Sequence, residues 1–176
     1  TTVTNTGPST ISGDLGVSPG SAVVGFPPGT VSNGVIHAAD AVALQAQADV
    51  TTAYNDAAGR ATTATVTADL GGQTLVAGVY TGGALGLTGA LTLDAQGDPN
   101  AVFVFQAAST LITESTSSVN LINGANPCNV YWQVGSSATL NTTSQFQGNI
   151  LALTDISMRT GNSRSSGGSM SKEPVS

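Results

Sequence analysis

Charge is what this chain has least of. Only 8% of its 176 residues are Asp, Glu, Lys or Arg, and just four are basic. Arg60 is the single Lys or Arg before Arg159, Arg164 and Lys172. With a net charge of −6, the chain lacks the cationic surface that nucleic acid or anionic lipid requires. Cys128 is the only cysteine, so no disulfide framework exists. Pro127 precedes it and Val130-Tyr131-Trp132 follow, which reads as strand entry and a buried, unreactive thiol. His37 is the only histidine, and a general base needs a nucleophile and an orienter. Its expected role is therefore structural, at the entry to a helix. Aromatics make up 5% of the chain, too few for a sugar-stacking platform. No apolar run reaches the roughly 18 residues of a spanning helix, so membrane insertion is not expected. No signal peptide is visible, and a start at Thr1-Thr2 reads as a processed, exported chain.

What is present is apolar and turn-rich. Hydrophobic residues make up 40% of the chain and 22 residues are glycine, a globular composition of one-domain length. Residues 1–36 are turn-rich, with strand-like pieces at Thr10-Ile11-Ser12 and Val23-Val24. Ala39, Ala43, Ala46, Val50, Ala53 and Ala57 then recur four and three apart. That spacing predicts one helix from about Ala38 to Ala58, with Asp40 in its first turn and Gly59 as its stop. A stripe made almost wholly of alanine lets a helix axis lie close to a flat sheet.

From Ala61 onward the pattern is β. Strands are expected at Leu75–Val79, Ala90–Leu93, Val102–Gln106, Ser118–Leu121, Val130–Val134 and Asn149–Leu153. Turns separate them at Gly71-Gly72, Gly82-Gly83, Asn123-Gly124 and the segment Gly97-Asp98-Pro99-Asn100. Asp94 and Asp98 flank that last turn; a calcium loop would need more carboxylates, so no metal is expected.

Within the β half one segment repeats. Ser109-Thr110-Leu111-Ile112-Thr113-Glu114-Ser115 matches Ala138-Thr139-Leu140-Asn141-Thr142-Thr143-Ser144, and Ile156-Ser157-Met158-Arg159-Thr160-Gly161-Asn162 is a fainter copy. The copies lie 29 and 18 residues apart, counting Thr110 to Thr139 to Ser157. Short strands with a returning Thr-Leu-x-Thr segment fit a β-solenoid. Stacked about 4.7–4.9 Å apart, the copies would turn Leu111, Leu140 and Met158 inward and rank the hydroxyls outside. A flat, uncharged array of threonines suits an ordered partner better than a flexible metabolite.

Several segments occur together and in order. They are Gly13-Asp14-Leu15-Gly16-Val17-Ser18-Pro19-Gly20, Ile36-His37-Ala38-Ala39-Asp40-Ala41 and Gly78-Val79-Tyr80. Leu91-Thr92-Leu93-Asp94-Ala95-Gln96-Gly97, Ala101–Gln106 and Asn129–Leu140 follow. Over roughly residues 4–161 the chain resembles the microbial ice-binding proteins. That resemblance implies a discontinuous, triangular β-solenoid with one long α-helix packed along one face. It also implies secretion, adsorption to an ice crystal surface through one flat face, and neither catalysis nor a cofactor. Candidates for that face are Thr88, Thr110, Thr113, Ser115, Thr139, Thr142, Ser144, Ser157 and Thr160. Glu114 and Arg159 interrupt the ranks and mark an edge or a less active face.

The family pattern fails after residue 161, where Asn162–Ser176 is polar and linker-like. The expectation is one solenoid domain over 1–161 and an atypical tail over 162–176. Closing strands would then be missing, and a monomer could self-associate through that end. Two other functions stay open at this point: a cell-surface structural or adhesive module, and a polysaccharide-binding solenoid.

Overall fold

The computed structural model describes residues 2–165 and 169–171. It divides into two compact units, Thr1–Thr52 and Ala53–Ser176.

The first unit holds β1 (Thr2–Thr4), β2 (Thr10–Ser12), β3 (Leu15–Val17), β4 (Ala22–Val24), β5 (Thr30–Ser32) and β6 (Ile36–Ala38). They pair in parallel as β1–β4, β2–β5 and β3–β6. Thr2 meets Ala22, Thr10 meets Thr30 and Leu15 meets Ile36. The middle residues Val3, Ile11, Val23 and Val31 are half-buried.

Helix α1 (Ala41–Gly59) follows. It begins later than the alanine spacing predicts, because Ala39 is held at φ +54°. Asp40 is the residue before the helix: its Oδ1 accepts the Ala43 N–H at 2.8 Å, the arrangement of an N-cap. His37 Nδ1 lies 2.7 Å from Asp40 Oδ2, so the lone histidine braces the cap. The buried stripe is also rotated. Ala43, Val50, Tyr54 and Ala57 are buried, whereas Ala46 and Ala53 are exposed. The Tyr54 ring removes far more apolar surface from water than an alanine methyl can, and burial scales with that area.

The Ala43 N–H, followed by the His37 contact, holds the Asp40 carboxyl below its ordinary range. A lowered folded-state pKa stabilises the protein above the unfolded value and is lost as pH falls through it. Thermal melts between pH 7 and pH 3 should therefore show acid weakening. Asp40→Asn keeps a capping oxygen but no titrating group, so its melting temperature should depend less on pH. An unchanged pH slope would remove Asp40 from the acid response.

The second unit is a β-solenoid. Its strands are β7 (Ala64–Thr65), β8 (Thr74–Val76), β9 (Gly78–Gly82), β10 (Leu85–Leu87) and β11 (Ala90–Asp94). They continue as β12 (Phe103–Ala107), β13 (Leu111–Thr113), β14 (Ser118–Ile122), β15 (Val130–Val134) and β16 (Ala138–Leu140). The last are β17 (Gln145–Gln147), β18 (Asn149–Ala152), β19 (Ile156–Met158), β20 (Ser163–Ser165) and β21 (Ser169–Ser171). From β9 onward the chain visits three parallel sheets in rotation. The helix-side sheet runs β7-β9-β12-β15-β18-β21, the narrow sheet β10-β13-β16-β19, and the wide sheet β8-β11-β14-β17-β20.

Pairing does not stop at residue 161. Ser163–Ser165 pairs with Gln145–Gln147, and Ser169–Ser171 pairs with Ile150–Ala152. The boundary expected there from composition therefore does not end the solenoid. Strand pairing is made by main-chain N–H and C=O groups, so it continues where hydropathy gives no strand signal. Residues 166–168 and 172–176 of the expected tail lie outside the described residues.

The core runs up the solenoid axis. Leu85, Leu87, Leu91, Leu93, Leu111, Leu140 and Phe146 line it from the narrow and wide sheets. The helix-side sheet contributes Tyr80, Phe105 and Trp132, which sit in register on adjacent strands. Their ring centroids stack at 5.6 and 4.1 Å. All five residues of β12 are buried, because the sheet's outer surface is covered by the end of α1. There Gln106 Nε2 donates to the carbonyl oxygens of Ala57 at 2.8 Å and Arg60 at 2.9 Å. Gln133 Nε2 donates to the Tyr54 hydroxyl at 2.8 Å. Two glutamines from the sheet thus hold the helix, one by accepting the role of a C-terminal cap for otherwise unpaired carbonyls. Cys128 is exposed, contrary to the expectation of a buried thiol. The strand of β15 begins only at Val130, and in the Pro127–Asn129 turn ahead of it no residue is buried.

Candidate functional site

With the helix-side sheet covered, the narrow and wide sheets present outer faces. The narrow sheet is the more regular. Each of its neighbouring strand pairs matches over three positions. One outward rank runs Gly86, Ile112, Thr139, Ser157 across four strands. On its helix-side border the stacking continues through the corner. Ser136 N–H donates to the Ser109 carbonyl and Thr154 N–H to the Ser136 carbonyl, at 2.8 and 3.1 Å. The next position along the chain places Thr110, Ser137 and Asp155 on neighbouring coils, their carbonyls accepting the N–H groups of Leu85, Leu111 and Ala138, each the first strand residue of the previous coil.

The opposite border is a repeated four-residue turn: Glu114–Ser117, Asn141–Ser144 and Arg159–Asn162. Its third position is left-handed in each copy, with Thr116 at φ +63°, Thr143 at +59° and Gly161 at +76°. Thr116 N–H donates to the Thr142 carbonyl and Thr143 N–H to the Thr160 carbonyl, at 3.2 and 3.1 Å. Ser115, Thr142 and Thr160 are equivalent second positions, and all three are exposed.

The true register differs from the one the repeat suggests. Leu111 pairs with Ala138, Ile112 with Thr139 and Thr113 with Leu140, a separation of 27 residues where the sequence match gives 29. Leu140 against Met158, 18 apart, is as expected. Thr113 therefore occupies an inward position among leucines, and it is fully buried. Its Oγ1 accepts the Asn141 N–H at 3.1 Å, which satisfies the hydroxyl inside the wall. Ser144 is buried as well, its Oγ donating to Asn162 Oδ1 at 2.8 Å. Neither residue can touch a surface outside the protein, and both leave the list of candidates. Thr88 is exposed, but its hydroxyl donates to the Asp69 carboxylate. That bond and the Gly71 and Thr88 N–H groups hold the Asp69 carboxyl below its ordinary range. Thr88 therefore sits beside a fixed anion.

Of the sequence candidates, the fold brings Thr139 and Ser157 together on the sheet, and Ser115, Thr142 and Thr160 together on the turn. Thr110 lies on the helix-side border, beside Ser137. Not among those candidates were Ser109, which opens the repeat, and Ser136, Ser137 and Thr154, whose only signal is their position one coil apart.

The wide sheet is broader but less even. Its outer positions include Thr74, Thr92 and Asn120 in one rank, and Ala90, Ser118, Gln145 and Ser163 in another. Between β14 and β17 only Ser118 and Gln145 pair, and the long side chains of Asn120 and Gln145 stand exposed on it. Among the described residues no group of three His, Cys, Asp or Glu could hold a metal ion.

A family model described as "Ice-binding-like" matches residues 1–176. The chain belongs to this ice-binding-like family. An ice-binding protein of Nostoc sp. (strain HG1) is 57% identical over 162 residues, which cover 91% of this chain and 60% of that protein. Ice-binding protein 1 of Shewanella frigidimarina (strain NCIMB 400) is 33% identical over 190 residues, covering 90% of this chain and 21% of that one. The chain thus spans from about a fifth to three fifths of these relatives' length. The crystal structure of an ice-binding protein from the Antarctic ascomycete Antarctomyces psychrotrophicus superimposes with a TM-score of 0.88 at 42% identity, covering 96% of this chain and 87% of that one. The solenoid with one helix is therefore the family fold. Among the described residues no helix is long and apolar enough to cross a membrane.

Proposed function

We propose that this ice-binding-like chain is exported and adsorbs to ice through the outer face of the narrow sheet. Thr139 on β16 and Ser157 on the edge strand β19 supply its outward hydroxyls, with Thr110 and the Ser109, Ser136, Thr154 rank on one side. The exposed turn residues Ser115, Thr142 and Thr160 form the far rim. One observation carries this choice of face: every neighbouring strand pair of the narrow sheet is in register over its full length. Such a surface repeats about every 4.7–4.9 Å along the stack. Hydroxyls at that repeat anchor ordered water, and the methyls of Ile112 and Thr139 keep the water between them ordered. Because the array is already rigid, little side-chain freedom is lost on contact. Glu114 and Arg159, both exposed, bound the face and hold hydration that a lattice cannot share.

Thermal hysteresis with crystal-shape microscopy on the purified chain is the test. A freezing gap with faceted crystals is expected. A folded chain that neither depresses freezing nor shapes crystals would sink the proposal and leave an adhesive surface module as the better reading.

A further inference from the structure

The triplet Asn-x-Ser/Thr, with x other than proline, occurs once in the chain, at Asn141-Thr142-Thr143. It is the acceptor pattern for N-linked glycosylation and belongs on exposed turns of secreted proteins. The fold puts it on such a turn. Asn141 opens the four-residue turn between β16 and β17, and its carbonyl accepts the Ser144 N–H at 3.3 Å. Its backbone N–H is held by Thr113 Oγ1 at 3.1 Å, so the main chain is fixed. The Asn141 side-chain carboxamide, in contrast, makes no hydrogen bond among the described residues, and Asn141 is only half-buried. Thr142 and Thr143 are exposed. The equivalent positions on the neighbouring coils are Glu114 and Arg159, also exposed, so nothing large packs over this column.

We propose that Asn141 is an N-glycan acceptor and that an oligosaccharide attached there shields the narrow sheet. In the reaction Asn141 Nδ2 bonds to the anomeric carbon of a lipid-diphosphate-linked oligosaccharide. The bond from that carbon to the phosphate oxygen breaks, the lipid diphosphate leaves, and the amide proton passes to a base of the transferase. Asn141 lies two residues beyond Thr139 and next to Thr142, on the border between sheet and turn. A hydrated oligosaccharide at that border keeps a flat crystal from reaching the Thr139 and Ser157 rank. Attachment rests on the export proposed above but not on ice adsorption, whereas shielding rests on both.

The experiment is secretion of the whole chain from yeast, followed by intact-mass measurement before and after native treatment with a peptide N-glycosidase. The expected result is one oligosaccharide of added mass, lost on treatment with aspartate left at that position, and absent in both Asn141→Gln and Thr143→Ala. Thermal hysteresis should be severalfold lower before treatment than after. A secreted, folded chain without added mass overturns the acceptor. Attachment with equal hysteresis before and after overturns the shielding. The independent Thr139→Tyr variant separates that failure from failure of the narrow-sheet reading: if it still lowers thermal hysteresis, only the shielding falls.

Discussion

Thr139→Tyr should lose at least roughly half of the thermal hysteresis while melting at nearly the wild-type temperature. Thr139 sits mid-rank between Ile112 and Ser157, one strand from each. A phenol ring there stands several bond lengths above its neighbours. Ice can then meet the ring or the ranks around it, but not both. Dispersion contacts forfeit a quarter to a half of their depth at a gap of only about 0.5–1 Å, so contacts on both flanking strands weaken together. The fold should not suffer, because Thr139 points outward and aromatic residues are favoured on strands. The matched control is Thr92→Tyr on the wide sheet, where Thr92 pairs with Thr74 and Asn120. It should leave adsorption intact. The reverse pattern, with Thr92→Tyr inactive and Thr139→Tyr active, would move the ice face to the wide sheet.

The sequence showed the helix-side strands best, and the reason is physical. β12 and β15 have the core on one side and the end of α1 on the other, so they read as apolar runs broken only by Gln106 and Gln133. The narrow-sheet strands are three residues long, shorter than any alternation can reveal, and only their repetition betrayed them. That repetition misled by two residues because Thr113 fills a place that Leu87, Leu140 and Met158 fill on neighbouring coils. A buried threonine whose hydroxyl is satisfied by the next coil's N–H is invisible to a hydropathy pattern. The two-residue slip preserves which side each residue faces, since side chains alternate with period two. Thr139 and Ser157 were therefore placed correctly despite the wrong spacing. Ser144 was not, because the turn around it curls inward to bond Asn162. The rotated helix stripe has a similar cause: a single buried Tyr54 outweighs the small alanines whose spacing suggested the other face.

Trp132→Ala should be the most damaging single truncation in the second unit. Trp132 is 1% exposed, and its ring lies 4.1 Å from that of Phe105 at an interplanar angle of 12°. Phe146 leans on its other side with centroids 5.0 Å apart. The indole N–H donates to the Gln147 carbonyl at 3.0 Å, which ties β15 to the corner before β18. That corner is tight: Gly148 adopts φ +108°, and a Cβ there would come within 2.8 Å of the Val130 carbonyl oxygen. Truncating a buried aromatic to alanine destabilises by about 3–5 kcal/mol, a large share of the roughly 5–15 kcal/mol that holds a domain. At about 2–4 °C per kcal/mol for a chain of this size, the melting temperature should fall by about 6–20 °C. Trp132→Phe keeps most of the stacking and loses the hydrogen bond, so it should fall between wild type and alanine. Thermal melts of the three proteins decide the matter. An alanine variant within a degree or two of wild type would mean that Tyr80, Phe105 and Phe146 close over the gap, and that the ring stack is not what fixes the spacing of the coils beneath the narrow sheet.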